Sequence, residues 1–175
     1  MIKKYIQLVS LTFLFFSTFS KAAENVDVLV VGGGASGTTA GIQSARMGVK
    51  TLIIEETGWL GGMLTSAGVS AIDGNHNLPS GLWAEFRQKL YDYYGGPKAV
   101  ETGWVSNTLF EPSVGNKILK DLAGENNLTV WYHTQLSSIK RNGAGWEVVV
   151  YQKNKKRVIK SALLIDATEL GDVMA

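Results

Sequence analysis

The chain has 175 residues, of which 45% are hydrophobic and 18% charged, a composition typical of one globular domain. Its formal net charge of +2 depends on three lysines in the first 22 residues, and removing them leaves 14 of the 17 basic residues against 15 acidic ones. The remaining charges do not indicate nucleic-acid binding, because the basic run at 153–157 is interpreted as a solvated hairpin turn. The lack of cysteine excludes disulfides and iron–sulfur clusters within these residues, and the two histidines predict no metal site.

Residues 1–22 are predicted to be a secretory signal peptide. A positively charged start is followed by an apolar stretch of about 16 residues, and Ser20 and Ala22 are small residues of the kind that a signal peptidase reads. The stretch is shorter than the roughly 20 apolar residues of a bilayer span, although a retained membrane anchor stays open as an alternative. We therefore expect export to the periplasm or the extracellular space, with membrane contact only through an uncleaved leader.

The most informative pattern in the chain is residues 26–56. An apolar strand is followed by the turn 32–37, which reads Gly-Gly-Gly-Ala-Ser-Gly, then by a helix to about Met47 and a second strand that closes with Glu55 and Glu56. Strand, glycines, helix, strand and acid in this order predict a βαβ unit that binds a dinucleotide. A glycine-rich turn in some other α/β protein is the alternative.

Each glycine of this G-x-G-x-x-G pattern has a mechanical role. Gly32 makes the tight turn out of the strand, Gly34 lets a pyrophosphate approach the backbone, and Gly37 lets the helix pack closely on the sheet. The helix N-terminus offers N–H groups and the positive end of its dipole to the phosphates. Glu55, 18 positions after Gly37, can accept hydrogen bonds from both hydroxyls of an adenosine ribose.

The rest of the chain is predicted to alternate helices and strands. A glycine-rich loop over 57–68 follows the acidic pair, residues 69–80 continue as a strand and a turn, and Ser80 can cap a helix from about Gly81 to Tyr94. The other expected elements are the first strand over 26–31, a helix from Glu111-Pro112 to Gly124, and strands over 128–134, 136–141, 146–152 and 158–165. The apolar run 162–166 is expected to be a strand buried on both faces of a parallel sheet.

The sequence resembles the FAD-dependent oxidoreductases that have a glutathione-reductase-type FAD domain, in particular bacterial ones related to the flavin subunit of heterodisulfide reductase. Four segments carry the resemblance: V-V-G-G-G-A-S-G at 30–37 with Glu55, G-W-L-G-G-M-L-T at 58–65, the strand pair around 134–136, and L-I-D-A-T-E-L-G-D at 164–172. The resemblance covers nearly everything after the leader. It departs at Glu169, where related flavoproteins commonly have glycine.

The resemblance implies an α/β, Rossmann-like FAD/NAD(P)-binding domain over 23–175, with a central parallel sheet, flanking helices and a β-meander, incomplete at its C-terminus. It implies FAD as the cofactor and an N-terminal part of a longer enzyme, because such enzymes continue for hundreds of residues. The residues expected to bind the cofactor are Gly32, Gly33, Gly34, Ala35, Ser36, Gly37, Glu55, Glu56, Gly61, Gly62, Met63, Thr65, Leu136, Ala167, Thr168, Gly171 and Asp172.

The expected function is transfer of hydride or electrons between FAD and an unidentified small organic substrate, with an unknown electron acceptor. No catalytic residue is assigned: His76 could face the substrate from its polar loop, but an exposed turn histidine is the simpler interpretation. Two alternatives stay open, a truncated and inactive FAD-binding module and an NAD-dependent dehydrogenase, whose fold uses the same glycine pattern. NADP is disfavoured because Glu55 and Glu56 would face its 2′-phosphate with no arginine nearby.

Overall fold

The computed structural model describes residues 23–72, 74–102, 104 and 106–174, so the predicted leader lies outside the described residues. Within this part of the chain, no helix is both long enough and apolar enough to cross a membrane. The helices and strands are β1 (Glu24–Val31), α1 (Ala35–Arg46), β2 (Thr51–Ile54), β3 (Ala71–Ile72), α2 (Gly81–Tyr94), β4 (Thr108–Leu109), α3 (Pro112–Glu125), β5 (Thr129–Trp131), β6 (Thr134–Asn142), β7 (Gly145–Gln152) and β8 (Lys155–Asp166).

A six-stranded sheet organises the fold, in the order β5-β2-β1-β8-β7-β6. Strands β5, β2, β1 and β8 are parallel, and β7 and β6 continue the sheet as an antiparallel meander. Because β2 and β8 lie on opposite sides of β1, the strand order reverses there and a crevice forms at the carboxyl ends of these strands. The predicted α/β fold with a parallel sheet, flanking helices and a β-meander is confirmed.

The two faces of the parallel sheet are covered by different layers. On one face, Val28 and Val30 of β1 belong to an apolar cluster that includes residues of all three α-helices. On the other face, Leu29 and Val31 belong to a cluster that includes residues of β7 and β8. Side chains alternate along a strand, so β1 is apolar over these four positions because both of its faces are buried there.

The helices follow their predicted limits closely. Helix α2 runs from Gly81 to Tyr94 and ends where Gly95 adopts a left-handed conformation with a φ of 88°. Ser80 occupies the N-cap position but makes no capping hydrogen bond with its side chain, contrary to the prediction. Helix α3 begins at Pro112, whose missing N–H is unneeded in a first turn, and it continues past the predicted end to Glu125.

The prediction that residues 162–166 are buried on both faces is wrong. β7 pairs with β8 only as far as Ser161, so the stretch beyond it pairs with β1 alone and forms an open edge. Leu163 in this stretch is 63% exposed. An apolar run indicates a strand, but it does not specify which neighbouring strands and layers cover that strand.

The strand predicted over 128–134 is also interrupted. β5 ends at Trp131, and β6 begins at Thr134. His133 lies between them with a φ of 52°, a left-handed conformation that no continuous strand contains. The chain therefore turns at His133 from the parallel sheet into the meander.

Candidate functional site

A cleft of about 510 Å³ lies at the carboxyl ends of β1, β2 and β8, where the strand order reverses. This is the position at which open α/β sheets bind their ligands. Its walls are the turn after β1, the residues after β2, the start of the meander and the residues after β8. Segments far apart in the chain thus form one concave surface.

The turn after β1 requires glycine at Gly32 and Gly37. Gly32 has a φ of 97°, and a Cβ atom there would lie 2.5 Å from the carbonyl oxygen of Ala167. A Cβ atom at Gly37 would overlap the carbonyl oxygen of Gly32 and lie 2.9 Å from the Cβ atom of Ala167. Helix α1 therefore packs directly against the turn and against the chain after β8.

Gly34 differs from its neighbours because its open side faces the cleft. A Cβ atom there would meet one side-chain atom, Oε1 of Glu169, at 3.4 Å. Gly34 is the N-cap of α1, and among the described residues no side chain caps this helix end. The bare backbone, together with the positive end of the helix dipole, is suited to an anion.

The glycine-rich loop after β2 lies directly against the turn after β1. The amide of Gly61 donates a hydrogen bond of 2.8 Å to the carbonyl oxygen of Gly33, and Gly61 and Gly34 form an isolated parallel bridge. A Cβ atom at Gly62 would lie 2.9 Å from the Cα atom of Gly34. We call the surface formed by Gly34 and Gly62 the glycine cradle.

Glu55 is fixed by hydrogen bonds at both carboxylate oxygens. Oε2 accepts a hydrogen bond of 2.7 Å from the amide of Gly33, whereas Oε1 accepts bonds of 2.7 and 2.6 Å from the amide and hydroxyl of Thr57. The two bonds from Thr57 occupy both lone pairs of Oε1, whereas Oε2 has one lone pair free. The fixed carboxylate lines the cleft and can accept one further hydrogen bond at Oε2. It can accept a second at Oε1 when the Thr57 hydroxyl donates instead to the carbonyl oxygen of Trp59, 3.3 Å away.

The start of the meander forms the wall beside Glu55. The amide of Thr134 donates a 2.9 Å hydrogen bond to the carbonyl oxygen of Glu55, and the amide of His133 donates one of 3.2 Å to Thr57. Thr134 and Leu136 both line the cleft. These bonds hold the meander at the end of β2.

The chain after β8 forms a short hydrogen-bonded turn. Oδ1 of Asp166 accepts hydrogen bonds of 3.0 and 2.7 Å from the amide and hydroxyl of Thr168, whose hydroxyl oxygen accepts one of 2.8 Å from the amide of Asp172. Burial acts to raise the pKa of Asp166, but the hydrogen bonds from Thr168 and the neighbouring backbone amides of Val173 and Met174 together lower it below its ordinary value. The charged form of Asp166 thus stabilises the turn.

The structure brings most of the predicted cofactor-binding residues to the cleft, and the others lie behind or beside it. Those that line it are Gly32, Gly34, Glu55, Glu56, Gly62, Met63, Leu136, Ala167, Thr168 and Asp172. Behind it lie Gly33, Gly37 and Gly61, whose contacts shape the two loops, and Gly171 lies in the turn after β8. Ala35 and Ser36 line a neighbouring cavity of about 290 Å³ between the helices.

Thr65 is the predicted residue that the structure turns away from the cleft. It is 1% exposed, and its hydroxyl donates a hydrogen bond to the carbonyl oxygen of Leu60. A Cβ atom at Gly61 would lie 2.9 Å from the side chain of Thr65. In this arrangement Thr65 supports the glycine-rich loop from behind.

Several residues of the cleft were not predicted from the sequence. Thr57 could have been suspected from its position two residues after Glu55, since threonine hydroxyls commonly bond to neighbouring groups of the chain. Thr38 of α1 does not line the cleft, but its buried hydroxyl supports the turn after β1 with a 2.8 Å hydrogen bond to the carbonyl oxygen of Gly33. The other lining residues outside the predicted set are Val31, Ile54, Ser66, Ala67, Thr134, Glu169 and Leu170, of which Val31, Thr134, Glu169 and Leu170 lie in segments that carry the family resemblance.

Comparison with protein families identifies one that accounts for almost the whole described chain. The model of the FAD dependent oxidoreductase family matches residues 27–175. Among individual proteins, the chain is 43% identical over 79 residues to a mitochondrial dihydrolipoyl dehydrogenase of Dictyostelium discoideum, which corresponds to 45% of this chain and 15% of that protein. It is 42% identical over 50 residues to leghemoglobin reductase of Glycine max, or 29% of this chain and 10% of that protein.

Solved structures share the fold. A flavoprotein/dehydrogenase from Cytophaga hutchinsonii superimposes with a TM-score of 0.63 at 23% identity, over 86% of this chain and 41% of that one. The anhydrotetracycline hydroxylase OxyS from Streptomyces rimosus superimposes with a TM-score of 0.59 at 13% identity, over 81% of this chain and 31% of that one. The chain therefore spans less than half the length of these proteins.

Proposed function

Since the chain belongs to the FAD-dependent oxidoreductase family, whose cofactor is FAD, we propose that the cleft at the carboxyl ends of β1, β2 and β8 binds FAD through its G-x-G-x-x-G turn. The observation that carries this proposal is the glycine cradle, which leaves bare backbone at the start of α1 where a side chain would otherwise stand. The family match gives no support to the alternative of an NAD-dependent dehydrogenase.

Different residues of the cleft would hold different parts of FAD. The diphosphate would lie on the glycine cradle at the N-terminus of α1, where backbone N–H groups and the helix dipole favour negative charge. The adenosine ribose would hydrogen-bond to Glu55, and the adenine would lie near Thr134 and Leu136 at the start of the meander. A cleft of about 510 Å³ is within the range of ordinary ligand sites.

The remaining wall of the cleft would face the flavin half of the cofactor. Gly62 would let the cofactor approach the backbone closely, because it has no side chain. Met63, which is 58% exposed, offers a polarizable thioether beside Gly62. When bound, FAD supplies the redox chemistry, which we propose to be hydride or electron transfer with a small organic substrate. The described residues position the cofactor and set the charge around it.

The Gly34→Val variant tests this proposal. Gly34 has a φ of −61° and an open side, so a valine fits the local backbone and leaves the fold intact while its methyl groups cover the cradle. We expect FAD binding, measured by flavin fluorescence, to be lost while circular dichroism stays that of the parent chain. The matched control is Gly74→Val, where a Cβ atom meets nothing within 4 Å and the cleft is not involved.

The comparison of Gly34→Val with Gly74→Val decides whether the FAD diphosphate lies on the turn after β1. The control should bind FAD as the parent does. If Gly34→Val binds FAD with the affinity of the parent, the diphosphate does not lie on this turn and the proposal is wrong.

A further inference from the structure

A carboxylate lies over the glycine cradle. A Cβ atom at Gly34 would be 3.4 Å from Oε1 of Glu169, and one at Gly62 would be 3.3 Å from the same oxygen. One atom of Glu169 thus lies above both glycines of the cradle. The oxygen borders the surface that the absence of side chains at Gly34 and Gly62 exposes.

The lining of the cleft is acidic, and Glu169 adds to its negative charge. The lining includes four acids, Glu55, Glu56, Glu169 and Asp172, and no lysine or arginine among the described residues that form it. Glu55 is engaged by Gly33 and Thr57, whereas the five ion pairs found among the described residues do not include Glu169. The Glu169 carboxylate is therefore an anion placed at the helix end that attracts anions.

We propose that Glu169 is an internal competitor for the FAD diphosphate, which must displace the Glu169 side chain before it can lie on the cradle. This inference rests on the proposed function and adds a regulation of the same site. The carboxylate opposes FAD binding in two ways, by occupying the space over Gly34 and Gly62 and by repelling the negative charges of the diphosphate. In the absence of cofactor, it stands in for the phosphate at the start of α1.

The local structure allows this displacement at low cost. The backbone on both sides of Glu169 is held by the bonds that join Asp166, Thr168 and Asp172. Glu169 itself is exposed, so its side chain can rotate into solvent without breaking these bonds. Cofactor binding then requires a change of rotamer and no change of fold.

The test compares the FAD dissociation constants of the full chain, E169Q and E169A at low and high salt. E169Q keeps the shape and removes the charge, so it should bind FAD about tenfold more tightly at about 0.02 M salt, because close like charges near a protein surface repel by this order. E169A removes both charge and bulk, and it should bind at least as tightly as E169Q. The gain of E169Q should shrink at about 1 M salt, where surface charges are screened over about 3 Å.

The control variant is E101Q, which removes one exposed negative charge from a residue outside the cleft and should bind FAD as the parent does. Tighter binding by E169Q and E169A alone supports the inference, including the case in which the parent shows no measurable binding. Equal or weaker FAD binding by both variants overturns the inference and leaves the proposed function in place. Failure of the parent and both variants to bind FAD contradicts the proposed function and the inference together.

Discussion

Glu55 contributes both to the turn after β1 and to the cleft, because one carboxylate accepts hydrogen bonds from Gly33 and Thr57 and also lines the proposed FAD site. In Glu55→Gln an amide N–H₂ group replaces one of these acceptor oxygens and faces a donor. We expect the free energy of unfolding in urea to fall by about 1–3 kcal/mol, the usual effect of losing a charge-assisted hydrogen bond. FAD affinity should fall as well.

Glu56→Gln is the matched control for stability, since the neighbouring Glu56 is exposed. It should leave the free energy of unfolding within about 0.5 kcal/mol of the parent, as is usual for surface substitutions. An unfolding midpoint for Glu55→Gln equal to that of Glu56→Gln would show that the bonds to Gly33 and Thr57 do not stabilise the fold.

Asp166 predicts a dependence of stability on pH. Its pKa in the folded chain is lowered, so its contribution to stability is complete above the pKa of about 3.9 in the unfolded chain and is lost as the pH falls through the lowered value. The free energy of unfolding, measured in urea at a series of pH values, should therefore decline more steeply with acid in the parent than in D166N. D166N keeps part of the decline, because the pKa values of Glu85 and Glu147 are also lowered. Identical slopes in the two proteins would contradict this account of Asp166.

At the scale of single residues, the sequence predicts roles that depend on local backbone and misses roles that depend on side-chain direction. The tasks of Gly32 and Gly37 follow from a strand that turns into a helix, and the structure shows the close contacts that they require. Thr65 was expected to contact the cofactor, but its hydroxyl bonds to Leu60 in the interior. Glu169 appeared in the sequence only as a departure from a pattern, since nothing local shows that its side chain lies over Gly34.

At the scale of elements, the packing of α1 on the sheet depends on glycines that face it. A Cβ atom at Gly37 would overlap the carbonyl oxygen of Gly32, and one at Gly41 would lie 2.6 Å from Ile53. Gly37→Ala must therefore move α1 away from the turn. We expect it to lower the free energy of unfolding by about 1–3 kcal/mol, the usual effect of overpacking.

Gly124→Ala is the matched control, because Gly124 lies in α3 and a Cβ atom there meets nothing within 4 Å. Alanine favours a helix over glycine by about 1 kcal/mol, so this variant should be as stable as the parent or more stable. Urea unfolding followed by circular dichroism measures both variants. If the free energy of unfolding of Gly37→Ala equals that of Gly124→Ala, the fold does not depend on the close contact between α1 and the turn after β1.

The limits of elements were predictable where a local signal marks them. Gly95 and Pro112 mark the end of α2 and the start of α3, and both helices follow these signals. The exposure of Leu163 was not predictable, because it depends on β7 leaving β8 at Ser161. The pairing of strands depends on the whole sheet, so an apolar run alone does not predict which strands will cover it.

At the scale of the whole molecule, the order of the sheet determines where a ligand can bind. The reversal of strand order at β1 places the ends of β1, β2 and β8 around one crevice, although β8 follows β2 by about a hundred residues in the chain. The family match over 27–175 and the shared fold agree with the α/β architecture that the βαβ pattern predicts. The part of the cleft formed after β8 depends on tertiary contacts, and the sequence pattern alone does not describe it.

The backbone bonds from Thr134 to Glu55 and from Ala167 to Val31 have a consequence for the order of events during biosynthesis. A nascent chain that has emerged only as far as Glu56 already contains every glycine of the fingerprint, yet it lacks the two partner segments that complete the crevice. If FAD binds in this cleft as we propose, the walls around it are complete only after β8 and the turn that follows it have been translated. The glycines of the G-x-G-x-x-G pattern thus precede, by about a hundred residues, a segment that their crevice needs.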